Sequence, residues 1–252
     1  MCQTNGSDKL TPPSQGKSTL TASVWRGGEE GVFERFEVPR QASQTVLDVV
    51  VWIQQNADPT LAFRYACRVG MCGSCAMMVN GVPRWTCRTH VDKVGGSGLE
   101  IAPLRNLPVI RDLAVDMDPF FEKWQAAEGV FAPTRTRDEP VALVEPESPA
   151  RRAAAAGIEC INCAVCYAAC DVVKGNPDYL GPAALNRAWT LQNDVRDGAR
   201  SARLAAVTQE GGCQNCHAQQ GCSTFCPNGL NPTASIAGLK RMAVKKRLGL
   251  GD

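Results

Sequence analysis

The stretch that decides this chain reads Cys67-Arg68-Val69-Gly70-Met71-Cys72-Gly73-Ser74-Cys75, with a fourth cysteine, Cys87, a short way downstream. Three thiols at x4 and x2 spacing share a compact loop. The interleaved Gly70 and Gly73 let its backbone take unusual dihedrals and come close to a bound group. After Cys75 the chain reads Ala76-Met77-Met78-Val79, then Asn80-Gly81, then Val82 to Cys87. Asn-Gly between two strand-like runs is a strong signal for a hairpin with a type I′ turn. Folding the chain back there returns Cys87 to Cys75, and four thiolates converging in this pattern suit a two-iron cluster.

Upstream, Leu20, Ala22 and Val24 alternate with Thr19, Thr21 and Ser23, the pattern of a half-buried strand. Residues 1–17 are polar and small with Pro12-Pro13, and are expected to be a disordered tail. A second strand, Val32 to Val38, follows the turn at Gly27-Gly28. Thr45 then reads as a helix N-cap, with Asp48 three residues on and Val46, Val49, Val50 and Ile53 forming one apolar face. Two strands, a helix and further strands predict a β-grasp layer of the plant-type ferredoxin kind.

Downstream come two more cysteine groups, Cys160-x2-Cys163-x2-Cys166-x3-Cys170 and Cys216-x5-Cys222-x3-Cys226 followed by Pro227. The first is the bacterial ferredoxin run without its trailing proline; the second repeats it with Gln219 where a cysteine is expected. In two-cluster ferredoxins the fourth cysteine of each run ligates the other run's cluster. By that rule Cys160, Cys163, Cys166 and Cys226 would hold a [4Fe–4S] cluster. Cys170, Cys216 and Cys222 would hold a cluster lacking one protein ligand, for which [3Fe–4S] is the expected species. Cys213 lies on the wrong side of Cys216 to replace residue 219 and reads as a spare thiol, as does Cys2. The competing readings are a zinc knuckle or free core thiols at the first group and a treble-clef-like zinc domain at the others. Knuckles present paired Cys-x2-Cys arms, and the internal repeat ending in Cys226-Pro227 argues against the second.

Composition narrows the class. The chain has 252 residues, 44% of them apolar, and 13 cysteines, an odd number that suits a closed disulfide framework poorly. A formal charge of +2 gives no reason to expect a nucleic-acid partner. The early residues lack the basic start and apolar run of a secretory signal, so a reducing compartment is expected, where clustered cysteines bind metals. Residues 128–156 carry Pro133, Pro140, Pro146 and Pro149 with no sustained period and read as an extended linker. From Gly157 the signals are helical, with Gly181-Pro182 and Asn231-Pro232 each opening a helix. The expected architecture is α+β: a [2Fe–2S] β-grasp domain over 18–127, the linker 128–156, and a helical bacterial-type ferredoxin domain over 157–252.

Several segments together resemble one family, the iron–sulfur subunits of succinate dehydrogenase and fumarate reductase. They are Arg64-Tyr65-Ala66-Cys67, Met71-Cys72-Gly73-Ser74-Cys75, Leu107-Pro108-Val109-Ile110-Arg111-Asp112-Leu113, Val115-Asp116-Met117, Cys160-Ile161-Asn162-Cys163, Gly181-Pro182-Ala183-Ala184, Arg196-Asp197, and Cys226-Pro227-Asn228-Gly229-Leu230-Asn231-Pro232-Thr233. The resemblance runs from about Ser18 to the C-terminus and is weakest across the linker. It implies an electron-transfer subunit working between a flavin in a separate catalytic subunit and quinone at membrane anchor subunits, on the cytoplasmic face of the inner membrane. The two-iron cluster would lie nearest the flavin and the three-iron cluster nearest the quinone, with no flavin or dicarboxylate site in this chain. By the same resemblance His217 and Lys240 would lie near the quinone; read as residues alone they belong to a loop and to a solvated basic helix.

The chain also departs from the family. Asp171 stands where proline is usual, and Val172-Val173-Lys174-Gly175 lacks the tryptophan that several members carry. Asp171 motivates an alternative reading, a three-cluster subunit serving a different flavoprotein with another acceptor. The Cys163–Cys170 run resembles fumarate reductases and Asn228–Thr233 resembles succinate dehydrogenases, so the direction of electron flow stays open.

Overall fold

The computed structural model describes residues 19–250 apart from Ser97; the expected tail, with Cys2, lies outside the described residues. The alternation upstream of the first loop becomes strand β1 (Thr19–Arg26), which buries Leu20, Ala22 and Val24. It pairs antiparallel with β2 (Val32–Pro39). Helix α1 (Val46–Asn56) starts at Thr45 with a capping box: the Thr45 hydroxyl accepts from the Asp48 N–H, and the Asp48 carboxylate from the Thr45 N–H. Its Val46, Leu47, Val49, Val50 and Ile53 are buried.

The expected hairpin forms as β3 (Ala76–Val79) and β4 (Val82–Trp85). Asn80 and Gly81 at its tip have φ 48° and 74°, both left-handed as a type I′ turn requires. After α2 (Val91–Val94), strand β5 (Leu99–Ala102) enters between β1, to which it is parallel, and β3, giving the sheet order β2-β1-β5-β3-β4. A small hairpin, β6 (Val109–Arg111) and β7 (Ala114–Val115), turns at Asp112. That buried carboxylate accepts from the N–H groups of Gly27 and Ala62, each at 2.8 Å, and so fastens the hairpin to the sheet. Helix α3 (Asp118–Ala126) leads out of this layer.

The second half is helical: α4 (Pro149–Ile158), α5 (Val165–Ala168), α6 (Asp171–Gly175), α7 (Pro182–Gln192), α8 (Arg200–Ala206), α9 (Gly221–Thr224) and α10 (Pro232–Arg247). Helix α7 is the hub, with α4 and α10 against it. Its Asn186 amide donates to the Gly157 carbonyl and accepts from the Ser235 hydroxyl, tying the three helices together. Gly238 allows the close crossing of α10, since a Cβ there would stand 2.2 Å from the Trp189 ring. One apolar core runs through both halves and includes Trp85, Phe120, Tyr167 and Leu185.

The extended linker needs correction. Helix α4 begins at Pro149, inside the tract, with Ser148 as N-cap. Pro149 sits at the first helical position, where proline opens helices, and Ala153 to Ala156 are strong helix formers. The other end of the tract is tied down as well: Gly198 N–H donates to the Ala132 carbonyl at 2.7 Å and Thr134 N–H to the Arg196 carbonyl at 2.9 Å. Irregular, largely exposed chain remains at 135–147.

Candidate metal centres

The first cysteine loop winds through left-handed dihedrals at Arg68, Gly70 and Gly73, with φ 60°, 76° and 72°. This turns the N–H groups of Val69, Met71 and Cys72 inward to donate to the Cys67 sulfur at 3.5, 3.2 and 3.3 Å. The Ser74 hydroxyl donates to the Cys72 sulfur at 3.3 Å and, with the backbone amides of Cys67 and Ser74, brings that thiol down to about 6. Cys87 sits on a 3₁₀ turn, Thr86–Arg88, directly after β4, and the Thr86 hydroxyl and N–H both donate to the Cys75 carbonyl. Burial first, then contact with Cys75, pushes the Cys87 thiol up to about 11. The hairpin therefore brings Cys87 to Cys75 and Cys67, and Cys72 lies against Cys67.

The second and third groups fold as a structural repeat. Asn162 and Ala164 have φ 56° and 61°, and Ala218 and Gln220 have φ 54° and 64°. Each left-handed pair leads into a one-turn helix, α5 and α9. Gln219 thus stands where Cys163 stands in the first copy, and it is exposed. Cys160, Cys163, Cys166 and Cys226 line one cavity. Burial, followed by mutual proximity, raises Cys163 to about 11 and Cys166 further, with Cys160 and Cys226 the neighbours of both. Cys170 and Cys222 are also raised by burial; Cys216 neighbours both, and the buried Tyr179 phenol faces Cys216. Cys226 thus shares the cavity of the second run, and Cys170 lies near Cys216 and Cys222 of the third. Cys213 is fully buried, near Cys216 and Lys240, outside the ring of four.

His217 is exposed on the loop after Cys216. Lys240, reaching back from α10, donates from Nζ to the Cys216 carbonyl at 2.7 Å. The first two centres meet at Gly73: a Cβ there would lie 2.5 Å from the Cys163 Cβ and 2.9 Å from its Cα. Gly73→Ala, with φ 72° as a second obstacle, is expected to push the two-iron loop off the second run. Calorimetry should show a lower melting temperature, and iron and sulfide analysis a deficit; unchanged values would contradict this packing.

Half-buried to buried cysteines brought together, amides turned onto sulfur and small residues at the closest approach fit iron–sulfur clusters. A model of the "2Fe-2S iron-sulfur cluster binding domain" matches residues 21–122, and one of the "4Fe-4S dicluster domain" matches residues 159–231. The fumarate reductase iron–sulfur subunit of Escherichia coli is 37% identical over 202 residues, covering 80% of this chain and 82% of that protein. Its Mycobacterium tuberculosis counterpart is 36% identical over 218 residues, with 86% and 87% covered. The chain belongs to the family of fumarate reductase and succinate dehydrogenase iron–sulfur subunits. The succinate dehydrogenase iron–sulfur subunit of Paracoccus denitrificans, 37% identical over 205 residues, covers 80% of this chain and 77% of itself. A chain of the Mycobacterium smegmatis Sdh1 complex superposes with TM-score 0.82 at 26% identity, over 92% of this chain and 98% of that one. The expected α+β order, a two-iron domain followed by a dicluster domain, holds, and the subunit is an electron carrier of an oxidoreductase. Among the described residues no helix is long and apolar enough to cross a membrane.

Two residues at the centres escaped the sequence reading. Trp85 lines the four-cysteine cavity; its signal was a large aromatic two residues before Cys87. Tyr179 faces the third group, and nothing in its local sequence pointed there. The thiols also differ in reactivity. At neutral pH Cys72, at about 6, is mostly thiolate, whereas Cys87 and Cys163, at about 11, stay protonated. In folded, cluster-free chain iodoacetamide should therefore label Cys72 first, an advantage lost as pH falls through about 6. Peptide mapping that finds Cys163 labelled ahead of Cys72 would contradict this.

Proposed function

We propose that this subunit relays single electrons between a flavoprotein that interconverts succinate and fumarate and a quinone held by membrane anchor subunits. Cys67, Cys72, Cys75 and Cys87 hold [2Fe–2S]; Cys160, Cys163, Cys166 and Cys226 hold [4Fe–4S]; Cys170, Cys216 and Cys222 hold [3Fe–4S]. The observation that carries the reading is the contact sequence of the rings: Gly73 of the first touches Cys163 of the second, and Cys166 of the second neighbours Cys222 of the third. The clusters, when bound, supply one-electron chemistry. The chain's own part is to bury them, keep them adjacent and turn N–H dipoles onto their sulfurs, which favours the reduced, more negative state.

Gln219 at the place equivalent to Cys163 supports the three-iron assignment, since an exposed amide side chain is a poor iron ligand. Lys240 holds the backbone of the three-iron loop through the Cys216 carbonyl. His217 stands in solvent-facing position beside that loop, where an imidazole can deliver a proton to reduced quinone. The subunit would sit on the cytoplasmic face of the inner membrane through its anchor partners. Asp171, exposed at the start of α6 beside Cys170, favours the alternative of another acceptor, because a carboxylate there lowers the potential of the neighbouring cluster. Co-purification under gentle detergent, with succinate-dependent quinone reduction as the assay, tests the proposal. Full activity with a soluble acceptor and no quinone or anchor subunits would overturn it.

A further inference from the structure

Trp85 ends β4, two residues ahead of Cys87, so its backbone belongs to the two-iron layer. Its ring leaves that layer. It packs under Gly70 of the two-iron loop, where a Cβ would stand 3.3 Å from the indole, and it lines the cavity of Cys160, Cys163, Cys166 and Cys226. The residue is 6% exposed. Its indole N–H is buried with no hydrogen-bond partner among the described residues. A buried donor without an acceptor is costly, so an indole N–H kept there calls for an acceptor. Among the sulfurs that share this cavity, that of Cys163 belongs to the residue packed on Gly73, in the same two-iron loop whose Gly70 lies on the indole.

We infer that the Trp85 indole N–H donates to the Cys163 thiolate of the four-iron centre and holds that centre's reduction potential up. Trp85 is a positioning residue: it ligates no iron. The sign follows from charge. Reduction adds one negative charge to the cluster and its thiolates, and an N–H dipole aimed at a ligand sulfur stabilises the reduced form more than the oxidised one. Removing the donor therefore lowers the potential. The effect is expected at the four-iron centre, whose cavity Trp85 lines.

The inference rests on the ligand assignment proposed above. The test is an electron paramagnetic resonance redox titration of the intact complex carrying Trp85→Phe, which keeps an aromatic ring and removes the N–H. The expected result is a lower midpoint for the four-iron cluster, with the two-iron and three-iron midpoints unmoved. An unchanged four-iron midpoint overturns the inference, and so does an equal shift of all three, which would report a general loss of packing. Unmodified complex grown with ¹⁵N-indole tryptophan gives a second readout that needs no variant: pulsed resonance of the reduced four-iron cluster should show coupling to a tryptophan nitrogen. No such coupling overturns the inference alone. Absence of any four-iron signal in unmodified complex overturns the ligand assignment, and this inference with it.

Discussion

Cys170→Ala is expected to abolish the three-iron signal and spare the four-iron one, while Cys226→Ala abolishes the four-iron signal and spares the three-iron one. A reading by sequence neighbourhood predicts the reverse, since Cys170 follows Cys166 and Cys226 follows Cys222. The crossed expectation rests on placement: Cys226 lines the cavity of Cys160, Cys163 and Cys166, and Cys170 has Cys222 and Cys216 as thiol neighbours. Each variant thus loses one of three paramagnetic species entirely. The companion variant Gln219→Cys restores the thiol that the structural repeat lacks. It should replace the three-iron signal by a second four-iron one and add about one iron per chain. Retention of the three-iron signal in Gln219→Cys would show that the missing ligand is not what sets the cluster type.

The second large effect lies away from the clusters. Arg203 and Asp197 are both fully buried and joined by two hydrogen bonds at 2.8 and 3.0 Å. Arg203 also donates to the carbonyls of Glu128 and Val130, and Asp197 accepts from the N–H groups of Ala132 and Ala199. This one pair therefore staples the start of the inter-domain tract to the helical domain. Arg203→Met leaves a carboxylate buried without its partner, which costs about 3–5 kcal/mol. The apparent melting temperature of the holoprotein should fall by roughly 6–20 °C. The double variant Arg203→Met/Asp197→Leu should recover a large part of that loss, because no uncompensated charge remains. A single variant that melts within about a degree of the unmodified protein would contradict the account of this pair.

Much of the fold was legible because local chemistry and tertiary structure agree. Thr45 with Asp48, Asn80-Gly81, Gly181-Pro182 and Asn231-Pro232 are start and turn signals whose backbone demands are short-range, and each element formed where its signal lies. The cysteine spacings were legible for the same reason: the loop between two thiols limits where they can point. What failed was the tract 128–156, where four prolines outweighed the alanines and the N-cap of α4. What stayed hidden was non-local. No window of sequence shows that Gly73 would touch Cys163, that Trp85 reaches from one layer into the cavity of the other, or that Arg203 and Asp197 meet in full burial. The equivalence of Gln219 and Cys163 follows from spacing and has a backbone basis in the paired left-handed residues.

The proposed electron path requires three different clusters on eleven cysteines of this chain. Electron paramagnetic resonance of anaerobically purified holoprotein, oxidised and then reduced stepwise, tests it most directly. The expected result is a three-iron signal in the oxidised protein that disappears on reduction, then a two-iron signal in the reduced protein, and a four-iron signal on further reduction. A protein that is silent in every state and carries zinc would contradict it.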